Sequence, residues 1–169
     1  MCKLFYPDAY YDSAYSVNYE AFYEKGYRGI IYDIDNTLVP HGAPADERSK
    51  ALFQRLREIG YDVTLLSNNK EGRVQMFNEE IGAHMIWKAN KPSPKNYRKA
   101  MEIMGTTKQS TLFIGDQLFT DVWGAKNAEV FSILVKPMNP KEEIQIVLKR
   151  YLEKIVLFFY LKKHSMRTK

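Results

Sequence analysis

Read as a string of apolar and polar positions, the chain alternates between two periods. Residues 28–34 (RGIIYDI), 61–66 (YDVTLL), 83–87, 111–114 and 130–135 are short, near-continuous apolar runs that predict strands. Residues 45–59, 70–81, 93–104 and 119–127 fill the gaps and predict helices. Leu52, Leu56 and Ile59 make the apolar face of the first helix, and Gly60 follows its end. Gly82 and Gly105 close the next two, and Pro94 falls in a first turn. Strands alternating with helices of this length imply βαβ units, and strands apolar throughout imply a parallel sheet covered on both faces. The expected fold class is α/β: one domain over residues 1–169, with a three-layer Rossmann-like core at residues 28–135.

The two flanks differ from this core. Eight of the twelve tyrosines lie in residues 1–32, and Tyr15, Tyr19, Tyr23 and Tyr27 recur four apart. That spacing predicts a Tyr-rich helix within residues 1–27, its rings on one face, packed on the domain body or kept for a partner. At the other end, residues 144–163 predict the longest helix, with Ile144, Val147, Leu148, Tyr151, Leu152, Ile155 and Phe158 or Phe159 at helical spacing. Lys149, Arg150, Lys154, Lys162 and Lys163 lie between or beyond them.

Charge sharpens this second flank. The chain carries 25 Lys+Arg against 20 Asp+Glu, a formal net charge of +5. Residues 141–169 hold eight of the basic residues and three of the acids, so the first 140 residues are neutral and the whole excess sits in the last helix and tail. The helix reads either as a cover for one face of the sheet or as a basic amphipathic element lying on anionic phospholipid. The longest apolar run, residues 155–161, is far short of the roughly 18–20 residues of a transmembrane span. The first residues reach Pro7 and Asp8 before a signal-like apolar core can form. Cys2 is the one cysteine, which excludes an internal disulfide framework and a cysteine-built zinc cage. The expectation is a soluble cytoplasmic protein, with peripheral contact to a membrane surface open to it.

In a parallel sheet, ligands bind beyond the carboxyl ends of the strands, and four successive ends here carry chemistry. The first ends in Asp33-Ile34-Asp35-Asn36-Thr37, two acids set two apart on an extended backbone. Paired carboxylates at the end of a buried strand are costly unless solvated or bound to a cation, and Mg²⁺ prefers such oxygens. The second ends in Ser67-Asn68-Asn69, a hydroxyl and backbone N–H groups at a helix start, which serve equally as a helix cap or a phosphate site. The third is followed by Lys91-Pro92-Ser93-Pro94, where two prolines fix the direction of the lysine. The fourth ends in Gly115-Asp116 and reaches Asp121 five residues later. Each segment alone reads as a polar turn or cap; their order reads as a cation site beside a phosphate cradle. No Gly-x-x-x-x-Gly-Lys loop is present, which disfavours a nucleotide-binding ATPase.

These four segments, in this order, resemble the motifs of the haloacid dehalogenase (HAD) superfamily of phosphohydrolases. YDIDNTLVP, LLSNN, KPSP and GDQLFTDVWGA are similar to the YqeG-like group of class III HAD phosphatases, which is related to phosphatidylglycerophosphate phosphatases. The resemblance implies Asp33 as nucleophile and Asp35 as acid and base. It implies that Thr37 orients Asp35 and supports the loop, and that Ser67, Asn68 and Lys91 bind phosphate. It implies Mg²⁺ held by Asp33, the Asp35 carbonyl and Asp116, with Asp121 ligating directly, through water, or bonding Lys91.

Thirty positions separate Thr37 from Ser67, and 24 separate Ser67 from Lys91. One helix and one strand fill each gap, so no cap domain fits and the site is expected to be open. An open site suits a bulky phosphomonoester, and the resemblance favours phosphatidylglycerophosphate. A nucleic-acid-end or small-metabolite phosphatase is the alternative, although no aromatic–basic nucleic-acid module is evident. A HAD-like binding module with little turnover is the reading from another class.

Overall fold

The computed structural model describes residues 2–139 and 144–165. Lys141, Arg167 and Lys169 of the basic tail lie outside the described residues, as do the side chains of Lys149 and Arg150. Six parallel strands form one sheet: β1 (Ala9–Tyr11), β2 (Gly29–Tyr32), β3 (Asp62–Leu66), β4 (His84–Ile86), β5 (Thr111–Gly115) and β6 (Phe131–Val135). Their order is β1-β6-β5-β2-β3-β4, with β2 paired to β3 on one side and β5 on the other. The chain leaves β2 toward β3 and later returns across the sheet to β5. The loops after β2 and β5 therefore diverge from a switch point, where α/β sheets place their ligands.

Alternation along the strands builds two cores. Ile30 and Tyr32 of β2 and Leu112 and Ile114 of β5 face one side, where they meet α1 (Tyr19–Glu24), α2 (Glu47–Ile59) and α3 (Glu71–Asn78). Ile31 and Phe113 face the other, against α4 (Lys95–Met104) and α5 (Trp123–Asn127). Helices on both faces explain why apolar residues fall on both faces of these strands. α2 starts on a capping box in which Asp46 accepts from the Ser49 N–H, and it stops at Gly60, whose φ of 110° suits glycine alone. The expected three-layer fold is present, and within residues 33–121 no inserted cap interrupts it.

Two expectations need correction. The tyrosine stripe is not one helix: Tyr15 sits in a 3₁₀ turn (Ala14–Ser16), only Tyr19 and Tyr23 share α1, and Tyr27 lies beyond it. Val17 is extended between the two segments, so the four-residue spacing does not persist as one face. The rings do pack on the domain: Tyr19 is buried and receives the Tyr32 hydroxyl, while the Tyr15 hydroxyl donates to the Leu38 carbonyl, in the loop after β2. The second correction is β1, a strand of three half-buried residues beside β6, too short to show a period.

The last helix, α6 (Ile144–Ser165), packs through Val156 and Leu157 against Leu118, Val122 and Leu134. Among the described residues, no helix is long and apolar enough to cross a membrane.

Candidate active site

Eight of the thirteen buried polar side chains among the described residues stand at the carboxyl ends of β2, β3, β4 and β5: Asp33, Asp35, Asn36, Thr37, Ser67, Lys91, Asp116 and Asp121. Burying so many polar groups is expensive unless they satisfy one another or a ligand. The loop after β2 is tightened by Thr37 and Leu38 N–H groups donating to the Ile34 carbonyl. Asn36 takes a left-handed φ of 62°, which asparagine tolerates better than most residues. The turn leaves both Asp33 and Asp35 on a cleft of about 250 Å³, which Ser67, Asn68, Lys91 and Gln117 also line.

One wall is a charge cluster. The Lys91 ammonium donates to Asp33 Oδ1 at 2.6 Å and to Asp121 Oδ1 at 2.7 Å. Oxygens of Asp33, Asp116 and Asp121 all lie within 4.8 Å of one another, a group that could hold a metal ion. Three carboxylates against one ammonium leave a net negative hole. Its hard oxygen donors suit a divalent cation of the Mg²⁺ type. Burial pushes the Asp33 carboxyl up to about 7; the Lys91 ammonium pulls against this and the Asp121 carboxylate adds to it. Burial pulls Lys91 down, but the carboxylates of Asp121 and Asp33 outweigh it and hold the ammonium above its ordinary value.

The supports of this wall are local. The Gln117 N–H donates to Asp121 Oδ2 at 3.1 Å, and the Tyr97 hydroxyl reaches the Asp121 carbonyl at 3.2 Å. The Thr37 hydroxyl lies 3.3 Å from Asp33 Oδ2 and 3.4 Å from Asp116 Oδ1. That corrects the expectation that Thr37 orients Asp35. Thr37 follows the left-handed Asn36, which turns its side chain back toward the β5 side of the loop.

Asp35 stands on the opposite wall with its own partners. Its Oδ1 accepts from the Gly42 N–H at 2.7 Å and from Arg73 Nη2 at 2.8 Å and Nε at 3.2 Å; its Oδ2 accepts from Asn69 Nδ2 at 2.7 Å. The Ser67 hydroxyl accepts from the Asn69 N–H at 3.1 Å, a cap on the turn that leads to α3. Asn68 lines the cleft, but its side chain also clamps the backbone of Lys91, accepting from the Lys91 N–H at 2.8 Å and donating to its carbonyl at 3.3 Å. Of the eight residues singled out in the sequence, Asp33, Asp35, Ser67, Asn68 and Lys91 line the cleft, and Thr37, Asp116 and Asp121 stand behind it next to Asp33 or Lys91. Arg73, Asn69 and the Gly42 N–H were missed. Their signal was available only as place: Arg73 lies in the first turn of α3, the helix that follows the Ser67-Asn68-Asn69 turn on the same edge of the sheet.

The family model for haloacid dehalogenase-like hydrolases matches residues 41–129. A Bacillus subtilis (strain 168) protein named "Probable phosphatase YqeG" is 36% identical over 156 residues, covering 92% of this chain and 91% of its own. The chain belongs to the haloacid dehalogenase-like hydrolases. Within that family it is a phosphatase, a phosphoric monoester hydrolase. The chloroplastic/mitochondrial phosphatidylglycerophosphate phosphatase 1 of Arabidopsis thaliana is 28% identical over 165 residues, and the match spans 87% of this chain but only 45% of the plant protein. Among solved structures, an uncharacterized protein from Listeria monocytogenes serotype 4b aligns with a TM-score of 0.54 at 13% identity, covering 69% of this chain and 85% of its own. The cobalt-bound deoxy-D-mannose-octulosonate 8-phosphate phosphatase YrbI of Haemophilus influenzae aligns with a TM-score of 0.51 at 16% identity, covering 67% of this chain and 80% of its own. At such identities these structures support the HAD fold alone.

Proposed function

We propose that this HAD phosphatase hydrolyses a phosphomonoester through an aspartyl-phosphate on Asp33, with Mg²⁺ as its cation and a lipid phosphate such as phosphatidylglycerophosphate as substrate. The observation that carries the reading is the Lys91 ammonium held between Asp33 and Asp121 beside a three-carboxylate hole. Asp33, Asp116 and the Asp35 carbonyl would hold Mg²⁺, whose positive charge would offset repulsion between carboxylate and phosphate.

The remaining steps belong to the chain. A carboxylate oxygen of Asp33 attacks phosphorus in line, the bond from phosphorus to the leaving oxygen breaks, and Asp35 gives that oxygen a proton. Water then attacks the phosphorus of the acyl phosphate, Asp35 takes its proton, and Asp33 is restored as phosphate leaves. Lys91, the Ser67 hydroxyl and the backbone N–H groups of the Ser67–Asn69 turn neutralise the transferring oxygens, where charge is redistributed in the transition state. Thr37 keeps Asp33 and Asp116 aligned. Asp121 acts by fixing Lys91.

The lipid substrate is supported by the similarity to the plant enzyme, by the absence of an inserted cap within residues 33–121, and by the basic composition of the last helix, which would suit peripheral contact with an anionic phospholipid surface. The test is a phosphate-release screen with and without Mg²⁺ over lipid phosphates in anionic vesicles, sugar phosphates and oligonucleotide ends. Lipid phosphates should turn over fastest, and Asp33→Asn should abolish release while preserving the circular dichroism spectrum. Mass spectrometry of the quenched wild-type reaction should show one added phosphoryl group on the peptide containing Asp33. Turnover by Asp33→Asn at the wild-type rate refutes the nucleophile, and preference for another phosphate class refutes the lipid assignment.

A further inference from the structure

Over residues 151–163, where its side chains are described, helix α6 is attached to the catalytic end of the sheet by a narrow stripe and exposes its other side. Glu153, Val156, Leu157 and Tyr160 recur at i, i+3, i+4 and i+7 and face the body. The Glu153 carboxylate accepts the Leu118 N–H at 2.8 Å, where the chain leaves β5 between Asp116 and Asp121. Tyr160 packs its ring edge-on to Tyr6, with centroids 5.5 Å apart. Between α6 and the sheet, Leu118, Leu134 and Leu157 line an apolar cleft of about 180 Å³ that has Asp116 on its wall. The helix is thus seated on the loop that carries two of the three clustered carboxylates.

Its outward side has the opposite character to an ordinary surface helix. Eleven large apolar side chains are exposed among the described residues, and six of them lie on α6: Tyr151, Leu152, Ile155, Phe158, Phe159 and Leu161. They are not scattered. At about 100° per residue, Tyr151, Ile155 and Phe158 point away from the buried stripe, with Leu152 and Phe159 on one shoulder and Leu161 on the other. Tyr151 is 63% exposed and Phe158 62%. A solvated face would be polar here, and single exposed apolar residues need no explanation, whereas a continuous ridge of six marks a contact surface. The exposed lysines are arranged around this ridge: Lys154 flanks the Leu161 shoulder, Lys163 the Leu152 and Phe159 shoulder, and Lys162 ends the central row. Long lysine stems can run beside buried apolar side chains and carry their ammonium groups out to a charged interface.

We propose that the outward face of α6 docks this protein on an anionic lipid bilayer, with Tyr151, Ile155, Phe158 and Phe159 inserted at the headgroup boundary and Lys154, Lys162 and Lys163 paired with anionic headgroups. An apolar row rimmed by cations on both shoulders is the pattern of an in-plane interfacial helix. Charge selects this occupant over a second copy of the chain: two α6 faces laid together would bring their lysine rims into mutual repulsion, while an anionic surface neutralises both rims. Glu153 then sets the geometry, because it fixes the inserted helix to the Asp116–Asp121 loop and so holds the catalytic cleft at a constant height above the headgroups. The proposal adds an orienting surface to the proposed lipid-phosphate reading, and rests on that reading only for the use to which docking is put.

The test uses the full chain and vesicles of pure phosphatidylcholine or of phosphatidylcholine with phosphatidylglycerol. Wild type should co-sediment with the anionic vesicles and much less with the neutral ones. The double variant Ile155→Ser/Phe158→Ser should lower the partition coefficient at least tenfold. Lys162→Glu/Lys163→Glu should remove the preference for phosphatidylglycerol. Both variants should keep the wild-type rate on a soluble phosphomonoester, which shows that the fold and cleft are intact. Equal vesicle binding by wild type and the apolar double variant overturns the proposal. So does a wild-type dimer in analytical ultracentrifugation that the apolar variant converts to monomer, because a second copy then covers the face. Vesicle binding by a wild type that hydrolyses no phosphomonoester would sink the proposed function and leave the docking surface standing.

Discussion

Arg73 donates through both Nε and Nη2 to a single oxygen of Asp35, at 3.2 and 2.8 Å. With the Gly42 N–H on the same oxygen and Asn69 on the other, the Asp35 carboxylate is held at a fixed height on its wall of the cleft. Its side chain is 10% exposed and that of Arg73 14%, so the pair is well shielded from water. Planar two-point donation fixes orientation as well as charge, which a lysine cannot reproduce. Arg73 therefore acts on the proposed acid through position.

The expected consequence depends on the leaving group. A positioned general acid contributes about 10²–10⁴-fold, and mostly where the leaving oxygen is basic. Arg73→Gln and Arg73→Lys should each lower kcat/KM for an alkyl phosphate by about 10–100-fold, and by less than about threefold for 2,4-dinitrophenyl phosphate, whose phenolate leaves without a proton. kcat/KM is the parameter to read, because it reports the steps through departure of the leaving group. Equal losses on both substrates would mean that Arg73 only holds the fold together.

Lys91 makes the opposite kind of prediction, one about stability. Its ammonium is buried between Asp33 and Asp121, with the side chain 3% exposed. Lys91→Met keeps the stem but leaves two buried carboxylates facing each other without a cation. Breaking a buried pair in this way costs about 3–5 kcal/mol. At about 2–4 °C per kcal/mol for a chain of this size, the melting temperature should fall by roughly 6–20 °C. Adding Asp121→Asn to Lys91→Met should restore part of that loss, since it removes one of the stranded charges. Thermal melts of the single and double variants in a chelating buffer measure this.

On the proposed assignment, metal and proton would compete for the same hole. The folded state raises the Asp33 carboxyl from 3.8 to about 7, chiefly by burial. In cation-free protein this group thus contributes stability that is full below about pH 4 and is lost as pH rises through 7, where the unfolded chain has already released its proton. The proposed Mg²⁺ would bind the deprotonated form, so its stabilising effect should run the other way. At a hundredfold excess over Kd it adds about 2.7 kcal/mol, or roughly 5–10 °C, at pH 8. The increment should shrink at pH 6 and vanish in Asp116→Asn. Melting curves with Mg²⁺ or chelator at the two pH values decide it, and a larger increment at pH 6 would contradict the assignment.

The fold was legible because its signals are repetitive. The core strands β2, β3, β5 and β6 are dominated by apolar residues, and α2 and α4 end in glycines of positive φ. The charge cluster was legible because Asp33 and Asp116 follow such strands directly and Lys91 and Asp121 fall a few residues beyond strand ends. β1 was not, since three half-buried residues carry no period and take their structure from pairing with β6. The tyrosine spacing misled because periodicity does not record where a chain straightens, as it does at Val17. Arg73 and the true partners of Thr37 were hidden for a related reason. Both depend on the direction in which a loop turns, and that is set by the left-handed Asn36 rather than by the order of residue types.

Gly115 ties the sequence of the last motif to its geometry. A Cβ built there would stand 2.5 Å from Asp121 Oδ2 and 2.7 Å from its Cγ, closer than real contacts allow. Asp121 cannot yield cheaply, because Lys91 and the Gln117 N–H hold its two oxygens. Gly115→Ala should therefore push Asp121 off Lys91, lower stability by about 1–3 kcal/mol as overpacking does, and reduce phosphate release at least tenfold. The control is Gly72, in the first turn of α3, where an added Cβ meets nothing within 4 Å. Gly72→Ala should leave turnover unchanged and stabilise by about 0.4–1 kcal/mol through the unfolded chain. If the two substitutions act alike on melting temperature and rate, the absence of a side chain at Gly115 is not what makes room for Asp121.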